Sequence, residues 1–135
     1  MAFATAQEAE QAFYRAFAAA DFNAMKAVWA PQDITCIHPG GALLQEPETI
    51  FQSWQHILST QGAAELRVEV LYRQARKDHV IHVVREHFRN LSNRPAIPVL
   101  STNVYLLQSD GWRMCVHHAS TEASSNTPAK RVSIH

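Results

Sequence analysis

Residues 79–89 read HVIHVVREHFR. Arg85, His87 and Arg89 favour water, so the two-residue period of a strand turns His82, Val84, Glu86 and Phe88 toward the interior. Glu86 is the anomaly. A carboxylate among valine and phenylalanine is costly to bury ionised, so it either pairs with a histidine or carries a raised pKa, as acid–base work or a structural Glu–His pair would require.

The flanking segments place this strand in a sheet. Before it, Leu66, Val68, Val70 and Tyr72 alternate with Arg67, Glu69 and Arg73, which predicts a strand buried on the first set, and Lys77 and Asp78 supply the turn between them. After it, Asn90, Ser92, Asn93, Pro95 and Pro98 form a loop into a strand over 99–108. Ser109, Asp110 and Gly111 then make a hairpin turn into a last strand. There Trp112, Met114, Val116 and His118 are expected to face the core, with Arg113, Cys115 and His117 outside. Adjacent histidines on one strand cannot both enter one cavity, so the pair is no chelate.

The first half of the chain is helical. Ala9, Phe13, Ala16, Phe17 and Ala20 recur at helical spacing over 5–19, and Asp21 caps a second helix whose buried side is Phe22, Met25, Val28 and Trp29. Residues 33–38 read as a strand with Ile34, Cys36 and His38 on one face, broken by Pro39, Gly40 and Gly41. A brief extended piece over 43–45 follows. Pro47 opens a third helix with the stripe Ile50, Phe51, Trp54, Ile57 and Leu58, ended by Gly62.

Helices on one face of a curved antiparallel sheet define an α+β layout. In that layout His38, Glu86, Asn103 and His118 interrupt inward-facing apolar runs, and buried polar groups need partners or a cavity. The expectation is a shared hollow for a ligand, with Trp29 and Trp54 among its walls.

Bulk properties narrow the class. The chain has 135 residues, 47% of them hydrophobic and 18% charged, which fits one domain over 1–122 with a polar tail over 123–135. Twelve basic against twelve acidic residues leave no net charge, which argues against nucleic acid as a partner. No apolar run approaches the roughly 20 residues of a membrane span, and the N-terminus lacks a basic leader, so a soluble cytoplasmic protein is expected. Cys36 and Cys115 are expected as free buried thiols on opposite faces of the sheet. His38, His118 and Glu86 come from three strands without local ligand spacing, so neither metal nor cofactor is expected.

The order of elements, the stretch 16–29 with its helix start at Asp21, the run ITCIHPG over 34–40 and GWRMCVHHAS over 111–120 resemble the nuclear transport factor 2-like superfamily. Within it, the likeness is to SnoaL-like and ketosteroid-isomerase-like domains and covers residues 5–122. The resemblance implies a cone-shaped sheet around three helices, an apolar cavity at its mouth, and dimers through the outer sheet face. It also implies catalytic positions. The general base of the isomerase branch precedes a proline at the end of the first strand, matched by His38. The oxyanion-stabilising acid of the fifth strand is matched by Asn103, and the tyrosine donor of the first helix by Phe13, with Tyr14 one position out of register.

Together these readings assign His38, Glu86 and Asn103 as candidate catalytic residues. Phe13, Trp29, Trp54, His82, Phe88, Tyr105, Val116 and His118 are the candidate ligand contacts. Histidine titrates near neutrality and can accept a proton from a carbon acid, or it can simply close the turn. Asn103 can donate to a developing oxyanion, or satisfy the backbone. The ligand class that fits is a small hydrophobic or carbonyl-bearing molecule. A binding domain without chemistry and a dimerisation module are the alternatives. Ile81, Val83, Val104 and Leu106, ringed by Arg67, Arg73 and Arg85, form an outer apolar patch suited to a homodimer.

Overall fold

The computed structural model describes residues 3–89 and 97–123. Three helices lie on the concave side of one mixed sheet. In chain order these are α1 (Ala6–Ala19), α2 (Phe22–Val28), β1 (Thr35–Ile37), α3 (Pro47–Gln61), β2 (Leu66–Ala75), β3 (His79–Phe88), β4 (Val99–Gln108) and β5 (Gly111–Thr121). The sheet order is β1-β5-β4-β3-β2, with β1 parallel to β5 and every other pair antiparallel. The α+β class expected from the sequence is therefore the one observed. The expected tail beyond 123 and most of the expected loop over 90–98 lie outside the described residues.

Local chemistry explains the helix boundaries. The Thr5 hydroxyl accepts from the Glu8 amide at 3.0 Å and opens α1, while Asp21 Oδ1 accepts from the Ala24 amide at 3.0 Å and opens α2. Between them Ala20 takes a left-handed φ of 55°, a conformation that costs an alanine energy and lets two helices meet without a loop. Pro47 occupies the first turn of α3 and Gly62 closes it at φ 71°. The core between helices and sheet is built on Phe13, Met25, Ile50, Trp54, Tyr105 and Met114, all at most 1% exposed.

Two bulges revise the parity read from the sequence. In β5, Val104 pairs with Val116 but Tyr105 pairs with Met114, so Cys115 is an extra residue; it and Met114 are both buried. Beyond it the faces exchange. His117 and Ala119 turn inward, while Val116 and His118, expected inside, lie on the convex face. In β2, Leu71 is the extra residue between Val70 and Tyr72, and Arg73 consequently sits opposite His82 on the concave side instead of ringing the outer patch. Val70 and Tyr72, expected buried, are 45% and 52% exposed because β2 is the sheet's edge strand. Both cysteines are free and buried.

Candidate functional site

A cavity of about 200 Å³ opens between the end of α3 and the concave sheet. Phe17 of α1 and Trp54, Ile57 and Gln61 of α3 form one wall; Glu86 and Phe88 of β3, Val99 of β4, and His117 and Ala119 of β5 form the other. His38 and Pro39, immediately after β1, stand at its side. The lining is apolar apart from His38, Gln61, Glu86 and His117. It contains no lysine or arginine among the described residues.

Glu86 is 2% exposed, and a single oxygen takes both of its protein hydrogen bonds: Oε2 accepts from the Tyr14 hydroxyl at 2.5 Å and from the Ser101 hydroxyl at 2.8 Å. Oε1 has no partner among the described residues. Burial raises the Glu86 pKa against the opposing pull of the two hydroxyls, and burial beside Glu86 raises that of Tyr14 well above its ordinary value. In the acid form the proton belongs on Oε1, because Oε2 is already accepting two.

The chain of bonds continues away from Glu86 with defined direction. Tyr14 Oη accepts from Asn103 Nδ2 at 2.9 Å, and Asn103 Oδ1 lies 2.7 Å from His117 Nδ1. An amide oxygen only accepts, so His117 Nδ1 carries the hydrogen and Nε2 carries the lone pair. Burial lowers the His117 pKa to about 3, with the nearby His38 and His118 adding to the effect, so the ring is neutral. His38 is held differently. The Ser53 hydroxyl donates to the Ile50 carbonyl at 2.6 Å, which leaves its oxygen to accept from His38 Nε2 at 2.9 Å and makes Nδ1 the basic nitrogen. Burial also lowers the His38 pKa.

The structure thus places His38, Glu86, Trp54 and Phe88 around one cavity and separates the other candidates. Asn103 is fully buried behind the wall, with its amide engaged by Tyr14 and His117. Phe13 is likewise buried, its ring centroid 5.5 Å from that of Trp54 and 5.0 Å from that of His117. Trp29 packs in the core beside Met114, away from the cavity. His118 and Val116 are on the opposite face, displaced by the Cys115 bulge.

His82 and Tyr105 belong to a second buried polar group. Arg73 Nε donates to His82 Nε2 at 3.1 Å, so His82 Nδ1 donates to Glu10 Oε2 at 2.9 Å, and the Tyr105 hydroxyl donates to the same oxygen at 3.3 Å. His82 lines a separate hollow of about 300 Å³ near the start of α1. Tyr14, Ser53, Ser101 and His117 were not singled out by the sequence reading. Tyr14 carries one available signal, since it lies one turn after Glu10 on the buried face of α1.

Three helices packed on a five-stranded mixed sheet, with a small and partly polar cavity between α3 and the sheet, define the structural class. The chain belongs to the SnoaL-like domain family, whose model matches residues 7–124. It is similar to a candidate calcium/calmodulin-dependent protein kinase type II association domain from Thiobacillus denitrificans, at 37% identity and a TM-score of 0.85, over 91% of this chain and 99% of that one. A candidate dehydratase of the NTF2-like family from Streptomyces avermitilis shares the fold at 24% identity and a TM-score of 0.77, over 86% and 92% of the two chains. The F-box protein SKIP8 of Arabidopsis thaliana is 27% identical over 99 residues, 73% of this chain; the match spans only 41% of that protein.

Proposed function

We propose that the protein is a cofactor-independent acid–base enzyme for a small, neutral, carbonyl-bearing molecule. The observation that carries this reading is the one-sided bonding of Glu86, which leaves Oε1 for the cavity. With the carbonyl oxygen at Oε1, the Glu86 proton passes to that oxygen as His38 Nδ1 takes a proton from the adjacent carbon. The C–H and carboxyl O–H bonds break, and N–H and enol O–H bonds form. Returning the protons to a different carbon, or expelling a leaving group, completes an isomerisation or an elimination. The described lining carries no lysine or arginine, which suits a neutral ligand.

The test is hydrogen–deuterium exchange at the carbon beside the carbonyl of acetophenone in heavy water. Wild-type protein is expected to accelerate exchange above buffer, with Glu86→Gln and His38→Gln each slowing it by roughly 10²-fold or more. Glu86→Gln keeps an oxygen for Tyr14 and Ser101, so its melting temperature should stay close to wild type. Exchange at the buffer rate in wild type, or full activity in either variant, removes the proposal.

A second reading, an association module, is favoured by the 37% identical relative that is named as one. On the convex face Ile81, Val83, Val104, Leu106 and Val116 are half-buried and contiguous across β3, β4 and β5. This reading has the protein as a cytoplasmic homodimer through that face. Light scattering at micromolar concentration should give twice the chain mass, and Val104→Glu should halve it. A monomeric wild type would sink the dimer.

A further inference from the structure

The hydrogen-bond directions in the cavity wall specify more than an acid and a base. His117 Nδ1 gives its hydrogen to Asn103 Oδ1, so Nε2 is a fixed acceptor, and it has no partner among the described residues. Glu86 Oε2 is saturated by Tyr14 and Ser101, so in the acid form, which burial favours, the carboxyl hydrogen sits on Oε1. Tyr14 and Asn103 tie Glu86 and His117 together from behind, across β4, and Glu86 and His117 line the same hollow. The wall therefore presents one donor and one acceptor, held by a rigid and buried frame.

We propose that the ligand is a hydroxycarbonyl compound: its carbonyl oxygen accepts from Glu86 Oε1, and its hydroxyl donates to His117 Nε2. A ketone without the hydroxyl leaves a buried imidazole nitrogen unpaired, and an alcohol without the carbonyl leaves the carboxyl hydrogen unpaired, so each is disfavoured. The surrounding Phe17, Trp54, Phe88 and Val99 accommodate a hydrocarbon or aromatic body of modest size within the roughly 200 Å³ available. This inference rests on the cavity reading above and adds His117 as a ligand contact, with Asn103 as its positioning residue.

The experiment titrates the 135-residue protein with 2-hydroxyacetophenone, acetophenone and 2-phenylethanol, following amide and imidazole ¹⁵N signals. The hydroxyketone is expected to bind about tenfold tighter than either single-function compound. The imidazole pattern of His117 should be that of the Nδ1–H tautomer. His117→Phe should abolish the advantage of the hydroxyketone over acetophenone, and an unchanged amide spectrum outside the cavity reports that it folds. Glu86→Gln should keep the preference, because its amide N–H replaces the carboxyl donor while proton transfer is lost. Equal affinities, no binding at millimolar concentration, a preference that survives His117→Phe, or an Nε2–H tautomer would each overturn the inference. A preserved preference with no hydrogen exchange would instead remove the enzymatic reading and leave this one standing.

Discussion

Lowering the pH from 7 toward 4 is expected to destabilise the protein by about 3 kcal/mol through His117 alone, as read by urea midpoints across that range. The ring has a pKa of about 3 in the folded state against an ordinary value of 6.5. Its stabilising contribution is therefore complete above 6.5 and is lost as the pH falls through 6.5 toward 3, because the unfolded chain binds the proton first. The full difference is on the order of 5 kcal/mol, a large fraction of a typical domain's stability. His38, also depressed by burial, acts in the same direction. Glu86 acts oppositely, since a raised carboxyl pKa favours the folded state at low pH and loses that contribution as the pH rises through its folded value. His117→Asn should flatten the acid limb whatever it does to stability at pH 7. An unchanged acid limb would show that the ring is not held neutral by burial.

Phe13→Ala is expected to cost 3–5 kcal/mol in denaturant unfolding, the usual range for emptying a large aromatic site in a core. Phe13 is fully buried, and its ring meets those of Tyr14, Phe17, Trp54 and His117 at centroid distances of 4.8, 6.3, 5.5 and 5.0 Å. It supports both the cavity's aromatic wall and its polar wall. Truncation should therefore also loosen the tautomer of His117, visible in the same ¹⁵N spectra. A loss below about 1.5 kcal/mol would mean that the neighbouring rings collapse into the space and that Phe13 supports neither wall.

Much of the architecture could be read in the residues themselves. The helical stripe around Trp54, the Asp21 cap, the Gly62 stop and the alternation through 79–89 each follow from local geometry, and each is present in the structure. Glu86 was legible for the same reason: β3 has no bulge, so counting by twos gives the right face. His118 was not. Parity fails wherever an extra residue enters a strand, and the pattern WRMCVHHA contains no glycine or proline to announce the bulge at Cys115. Arg73 failed identically across Leu71. Asn103 was placed on the correct face but at the wrong depth, since alternation reports direction and says nothing of what stands in front. Tyr14 was passed over in favour of Phe13 because alignment to a family position cannot sense that its hydroxyl reaches β3 across the interior.

The Cys115 bulge carries a consequence for how this site could tolerate change. Straightening the strand through the bulge, with no residue lost, would exchange the two faces downstream of it and with them the side chains that line the wall. Here the doublet at 117 and 118 means that either register delivers an imidazole inward. A one-residue slip of β5 would therefore set His118 opposite Asn103 in the place of His117.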